Sequence, residues 1–148
     1  MPYVSNRAAV EAELEQLVRK NAEQFADRAV RLVQESYREP KSGRLYRIGK
    51  TPTKADRRAK RLFRSHQASA PGEAPAIDTA ALSKGTTRAA AVRISKMKWS
   101  VSAGVTSQSG RADVALWLEL GTSRIQPRPS WRRALEVLRN TRIALSDE

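Results

Sequence analysis

The side chains in this sequence with chemistry to offer are mostly cations, and they are crowded together. Between residues 38 and 64 stand Arg38, Lys41, Arg44, Arg47, Lys50, Lys54, Arg57, Arg58, Lys60, Arg61 and Arg64, eleven basic residues against Glu39 and Asp56. That stretch alone holds nine of the chain's net +13 charges. Clustered cations imply an anionic partner, either nucleic acid or an acidic protein surface. The same run reads equally as a solvated, partly disordered loop in the isolated protein. Tyr46, flanked by Arg44 and Arg47, suits packing into a partner groove or against a sugar-phosphate backbone.

Catalysis has less to work with. The chain has no cysteine and a single histidine, His66. Disulfides, thiol chemistry and a Ser-His-Asp triad are therefore set aside, and one imidazole cannot build a metal site unaided. No P-loop, GxGxxG, HExxH or GxSxG pattern occurs. Glu119 stands beside a Gly-Thr-Ser corner and has the shape of a general base, but no nucleophile or metal set accompanies it. Its expected role is structural: capping corner amides, or pairing with Arg124 or Arg128. Trp99, Trp117 and Trp131 have faces on which bases stack, although tryptophans on apolar stripes more often fill a core or a subunit interface. No enzyme and no cofactor is expected.

The elements that position these residues follow from periodicity. After Ser5, a suitable N-cap, Val10, Leu14, Leu17, Val18, Ala22, Phe25, Ala29, Leu32 and Val33 recur every three or four residues. That predicts one long amphipathic helix over residues 6–37, ended by Pro40 and Gly43. Residues 44–51 suit the first arm of a hairpin and 54–64 a short basic helix, with the chain running back through 65–70. Pro71, Gly72 and Pro75 punctuate the next segment, and Asp78-Thr79 suits a cap for a turn through Leu82. Residues 89–95 and 98–105 read as two strands of a hairpin closed by Ser95-Lys96-Met97-Lys98. The second alternates Trp99, Val101, Ala103 and Val105 with smaller residues. A polar turn at 106–111 leads into 114–120, V-A-L-W-L-E-L, read as a third strand. Gly121 turns the chain, Pro127 and Pro129 hold it extended, and a last helix runs over 130–145. The fold class is thus α+β: a long N-terminal and a C-terminal helix on one face of a small antiparallel sheet, with a basic loop or hairpin excursion at 38–70. At 148 residues a single domain is expected. No apolar run is long enough to span a membrane, and the N-terminus lacks a signal-peptide core.

Residues 118–135, L-E-L-G-T-S-R-I-Q-P-R-P-S-W-R-R-A-L, resemble the E-F-G-T-S-[KR]-M-x-A-R-P-F-L-R-P-A-L signature of the tail-completion, or head–tail joining, proteins of long-tailed phages, the Hong Kong 97 gene-ten-like family. Glu119, Gly121, Thr122, Ser123, Arg124, Arg128, Pro129, Arg132, Ala134 and Leu135 match. Leu120 stands for the usual Phe, Pro127 for Ala, and Ser130-Trp131 for Phe-Leu. A second block, S-A-P-G-E-A-P-A-I-D-T-A-A-L at 69–82, resembles the family's A-P-G-E-x-P-x-x-D-T-G-x-L, with Ala80 where Gly is usual. A third, S-G-R-L-Y-R-I at 42–48, resembles the segment that often precedes it. The resemblance implies a structural neck protein of the virion, made in the host cytoplasm. It further implies a homo-oligomeric ring, with a hexamer expected, between the head-completion (stopper) protein and the tail terminator or tube, and leaves DNA in the channel open as a further contact.

On that reading the partner-docking residues are Arg44, Tyr46, Arg47, Lys50, Arg57, Arg58, Arg61 and Arg64. The ring or neighbour interface comprises Trp117, Glu119, Gly121, Thr122, Ser123, Arg124, Arg128, Pro129 and Trp131. The alternative is an autonomous basic nucleic-acid-binding protein, although no recognised DNA- or RNA-binding motif is present. Six copies would gather roughly +78 charges, so the purified chain is expected to stay monomeric until a partner offsets the repulsion.

Overall fold

The computed structural model describes residues 6–76, 81–106 and 112–146. The expected caps at Ser5 and Asp78-Thr79, and most of the polar turn at 106–111, lie outside them. The N-terminal periodicity forms the helix it predicts, α1 (Arg7–Arg38). Its apolar stripe does two different things. Towards its C-terminal end Ala26, Ala29, Val33 and Tyr37 are buried, while Val10, Leu14, Leu17 and Phe25 stay exposed. The core is small: Val33, Tyr37, Ala74 and Ala134, with Leu32, Leu82 and Trp131 packed against it. Fully burying one side chain of Val33's kind stabilises by about 1.5–3 kcal/mol, so few residues carry most of the apolar term here.

After α1 the chain forms β1 (Leu45–Gly49), a short helix α2 (Lys54–Arg58) and β2 (Arg64–Gln67). β1 and β2 pair antiparallel, with Leu45 opposite Gln67, Tyr46 opposite His66 and Arg47 opposite Ser65, and with a bulge between Arg47 and Gly49. The expected hairpin excursion is an ordered arm.

Next come α3 (Ala81–Gly85), β3 (Thr86–Arg88), β4 (Val92–Ser95), β5 (Lys98–Ser100) and β6 (Ala103–Val105). β3 pairs with β6 and β4 with β5, both antiparallel. Between the two ladders the Ala89 amide donates to the Ser102 carbonyl at 2.8 Å. Residues 86–105 are therefore one bent hairpin whose register slips at Ala89-Ala90-Ala91, where small side chains leave little to hold a flat ladder. The predicted 98–105 strand is split by that bend, and β3 is a strand the sequence reading lacks. Met97 closes the two-residue turn with φ +62°.

This hairpin is tied to α1 largely through charge. Lys96 pairs with Glu11 at 2.6 Å, Arg93 with Glu15, and Arg88 with Asp27 at 2.6 Å. Arg19 of α1 lies 5.4 Å from the Trp99 ring centroid. The half-buried Gln34 amide donates to the Ser83 and Thr86 carbonyls, at 3.2 and 3.1 Å.

The stretch 114–120 is not a third strand. It lies in a helix, α4 (Ala112–Leu120), followed by α5 (Trp131–Ser146). The reason is compositional. A short apolar run does not distinguish strand from helix by pattern alone, but Ala115, Leu116, Leu118, Glu119 and Leu120 are strong helix formers and only Val114 is β-branched. Gly121, with φ +79°, then ends the helix in the left-handed conformation that suits glycine, its amide donating to the Trp117 carbonyl at 2.8 Å. The architecture is α+β, built among the described residues on three two-stranded antiparallel ladders, with α5 packed on α1.

Candidate docking surfaces

Two regions hold the residues singled out in the sequence. The first is the elbow from α4 to α5. Glu119, near the end of α4, reaches the start of α5 and accepts the amides of Ser130 at 2.8 Å, Trp131 at 3.1 Å and Arg132 at 2.8 Å, and the Ser130 hydroxyl at 3.3 Å. These amides have no partner within their own helix, and an N-terminal carboxylate also meets the positive end of the helix dipole. Glu119 is thus a cap, as expected, but it caps α5 rather than the Gly-Thr-Ser corner, and it makes no ion pair with Arg124 or Arg128.

The corner caps itself. The Thr122 hydroxyl oxygen accepts the amides of Arg124 at 3.2 Å and Ile125 at 3.1 Å, and the Thr122 amide donates to the Ile125 carbonyl at 2.8 Å. At Gly121 an added Cβ would sit 2.9 Å from the Ile125 carbonyl oxygen and 2.9 Å from Pro127 Cδ. The proline arm then doubles back, the Arg128 amide donating to the Leu118 carbonyl at 2.6 Å. Arg128 and Pro129 are half-buried, and the Arg128 Nε is buried without a hydrogen-bond partner. Thr122, Ser123 and Arg124 are exposed. Trp131 is half-buried against the core, and Tyr37 approaches Ser130 with oxygens 3.4 Å apart. Trp117 instead faces outward, 51% exposed, with Leu116 and Leu120 also exposed on the same short helix.

The second region is the arm. Its tip is fixed by a capping box: the Asp56 amide donates to the Thr53 hydroxyl oxygen at 3.2 Å, and the Thr53 amide and hydroxyl donate to Asp56 Oδ2 at 3.0 and 2.6 Å. Ser65 donates to the other carboxylate oxygen, and the Arg61 guanidinium lies 3.6 Å from it. The hydroxyls of Ser65 and Thr53 hold the Asp56 carboxyl well below the usual range. Arg61 is consequently half-buried and belongs to the arm's own structure. Arg44, Tyr46, Arg47, Lys50, Arg57, Arg58 and Arg64 are exposed, with no carboxylate partner among the described residues. Arg44 stacks over Tyr46 at 5.5 Å and Arg47 over Phe63 at 5.4 Å.

The arm's base is held by a residue to which the sequence reading gives no role. Glu73 accepts the Ser42 amide at 3.1 Å, the Ser42 hydroxyl at 2.5 Å and the Ala70 amide at 2.8 Å. These bonds, led by the Ser42 hydroxyl, pull its carboxyl down to about 2. Gly43 lies so close to the returning strand that a Cβ would meet the Ala68 and Ser69 carbonyl oxygens at 2.7 Å. One residue before Glu73, the Gly72 amide donates to the Pro127 carbonyl at 3.0 Å. The turn 70–73 therefore touches both regions, joining arm base to elbow. Its only signal in the sequence is the A-P-G-E block itself.

His66, opposite Tyr46 in the ladder, lines an open depression of about 460 Å³ with Tyr37, Arg38 and Lys41. No group of acidic, histidine or cysteine side chains suited to a metal occurs among the described residues, and no described helix is long and apolar enough to cross a membrane. No family model matches this chain, and no match was found among the curated proteins or the solved structures.

Proposed function

We propose that this chain is a subunit of a phage neck: a tail-completion protein that joins the tail to the DNA-filled head as part of a homo-oligomeric ring, docking on the head-completion protein and on the tail terminator or tube. The observation that carries the reading is the junction of the two resembling blocks. Residues of the A-P-G-E and L-E-L-G-T-S-R-x-x-P-R-P segments, far apart in the chain, meet through Gly72 and Pro127, and each segment supplies a carboxylate, Glu73 in the one and Glu119 in the other, that gathers backbone amides. The two blocks thus act as one frame that sets the arm relative to the elbow.

The surface supports an assembly role. Leu116, Trp117 and Leu120 of α4, Leu135 and Val137 of α5, and Val10, Leu14 and Leu17 of α1 are all bare in the single chain. A small-cored subunit that leaves so much apolar side chain uncovered suits burial against neighbouring copies. The exposed cations of the arm suit a docking partner of opposite charge.

The test is attachment. Chain lacking residues 44–64, and full-length chain with Arg44, Arg47, Arg57 and Arg58 changed to Gln, are mixed with tails and DNA-filled heads. Both are expected to lose capture of the head. Undiminished attachment by both overturns the arm's docking role.

A further inference from the structure

We infer that the arm spanning residues 44–67 is a sequence-independent binding site for duplex DNA, entering a groove and contacting phosphates from both of its faces. This deepens the neck reading by naming the polyanion the arm meets; it rests on that reading for where the duplex is encountered, not for the chemistry of binding.

The cations are spread over both faces of the ribbon. In the β1–β2 ladder Arg47 shares a face with its partner Ser65, while Arg64 falls on the other face with His66 and Tyr46. Arg44, stacked on Tyr46, adds to that second face. Arg57 and Arg58 lie on α2 at the tip, with Lys50 and Lys60 on the connections to either side. An acidic protein surface would meet one side of such a ribbon and leave the other side's charge unused. A DNA groove has phosphates along both walls, and a major groove about 12 Å wide admits a two-stranded ribbon.

The chemistry of the individual groups agrees. Arg44 and Arg47 are held by aromatic rings at 5.5 and 5.4 Å, which limits their motion without using their N–H donors. The one carboxylate within the arm, Asp56, is buried and already bonded to Thr53 and Ser65, so it opposes an approaching phosphate little. Leu62 is 89% exposed near the tip, an apolar side chain placed to rest against sugars or base edges. The capping box and the Glu73 clasp fix the ribbon beforehand, which lowers the ordering cost of binding. Contacts of this kind read the backbone rather than bases.

The experiment titrates the full chain against a fluorescent duplex of about 20 base pairs and mixed sequence, at several salt concentrations. Affinity is expected to fall steeply with salt, with a log–log slope of about −0.9 for each phosphate contacted. Changing Arg44, Arg47, Arg57 and Arg58 together to Gln is expected to flatten that slope by about 3.6, one phosphate for each arginine, and to weaken binding roughly 30-fold or more near 0.1 M salt. Changing the same four to Lys keeps the charge and is expected to hold affinity within about threefold. A control set, Arg28, Arg31, Arg132 and Arg139 to Gln, removes equal charge elsewhere on the exposed surface and is expected to cost less than about threefold. Equal weakening by the arm and control sets would mean that net charge alone binds DNA, and would overturn the inference. So would unchanged DNA affinity in the arm variant together with lost capture of the head, which would give the arm to an acidic protein. A chain that binds duplex through its arm but never joins a particle would contradict the neck reading and leave this site standing.

Discussion

The elbow and the arm are built on one device, a carboxylate that collects backbone amides, and yet they present opposite surfaces. At the elbow Glu119 takes three amides at the start of α5, and the outer face beside it carries Leu116, Trp117 and Leu120. At the arm Glu73 and Asp56 take the amides of Ser42, Ala70 and Thr53, and the outer face carries exposed cations. The acid is engaged internally in both places. What remains outside differs: an apolar face whose burial is favourable against any matching surface, and a cationic one whose partner must be an anion. A small core can thus hold two unlike exposed surfaces in fixed relation if each is locally clasped and the clasps share a turn, here residues 70–73.

The comparison breaks most readily at the elbow. Glu119→Ala leaves three α5 amides without their acceptor beside the small core, and is expected to lower stability by about 2–3 kcal/mol, read from denaturant unfolding. Glu119→Gln, which keeps an acceptor oxygen, is expected to cost less. Gly121→Ala comes next. It forces a side chain into φ +79° and against the Ile125 carbonyl and Pro127 ring, with an expected loss of about 1–3 kcal/mol. Thr53→Ala removes the capping box at the arm's tip and is expected to cost about 1 kcal/mol. Hydrogen exchange should rise in the arm and stay unchanged in α5.

The mildest perturbation is acid. The folded-state carboxyl of Glu73 is depressed from 4.5 to about 2. Its contribution is therefore complete above about pH 4.5 and is lost as pH falls towards 2. Exchange protection at Ser42 and Ala70 should decline across that window.

Much of the fold is legible in the sequence because it rests on local pattern. α1 follows from its apolar spacing, α5 from the stripe of Trp131, Ala134, Leu135 and Leu138, and the β4–β5 pairing at 92–100 from alternation with a tight turn at Lys96-Met97, though neither β3 nor the bend that splits the 98–105 strand does. The arm's hairpin is legible too, although nothing in a basic run says whether it is ordered. Its order comes from Asp56 and Ser65, nine residues apart, and from Glu73 and Ser42, 31 apart. Helix α4 reads as a strand because the seven apolar-rich residues 114–120 fit both periods, and only their propensities tell the two apart. The split of α1 into packed and bare stripes is not legible, since Leu14 and Leu17 look the same in sequence as Ala29 and Val33. Glu73 escapes a sequence reading for the same reason as the bend at Ala89–Ala91: its partners are chosen by tertiary approach, not by spacing.

The most direct measurement is cryo-microscopy of a particle assembled with this protein. The account predicts a closed ring of copies at the junction of portal and tail, with α4 and its Trp117 against the neighbouring copy and the arm of residues 44–67 turned towards the DNA. Density for the chain outside that junction, or for a single copy within it, would contradict the account.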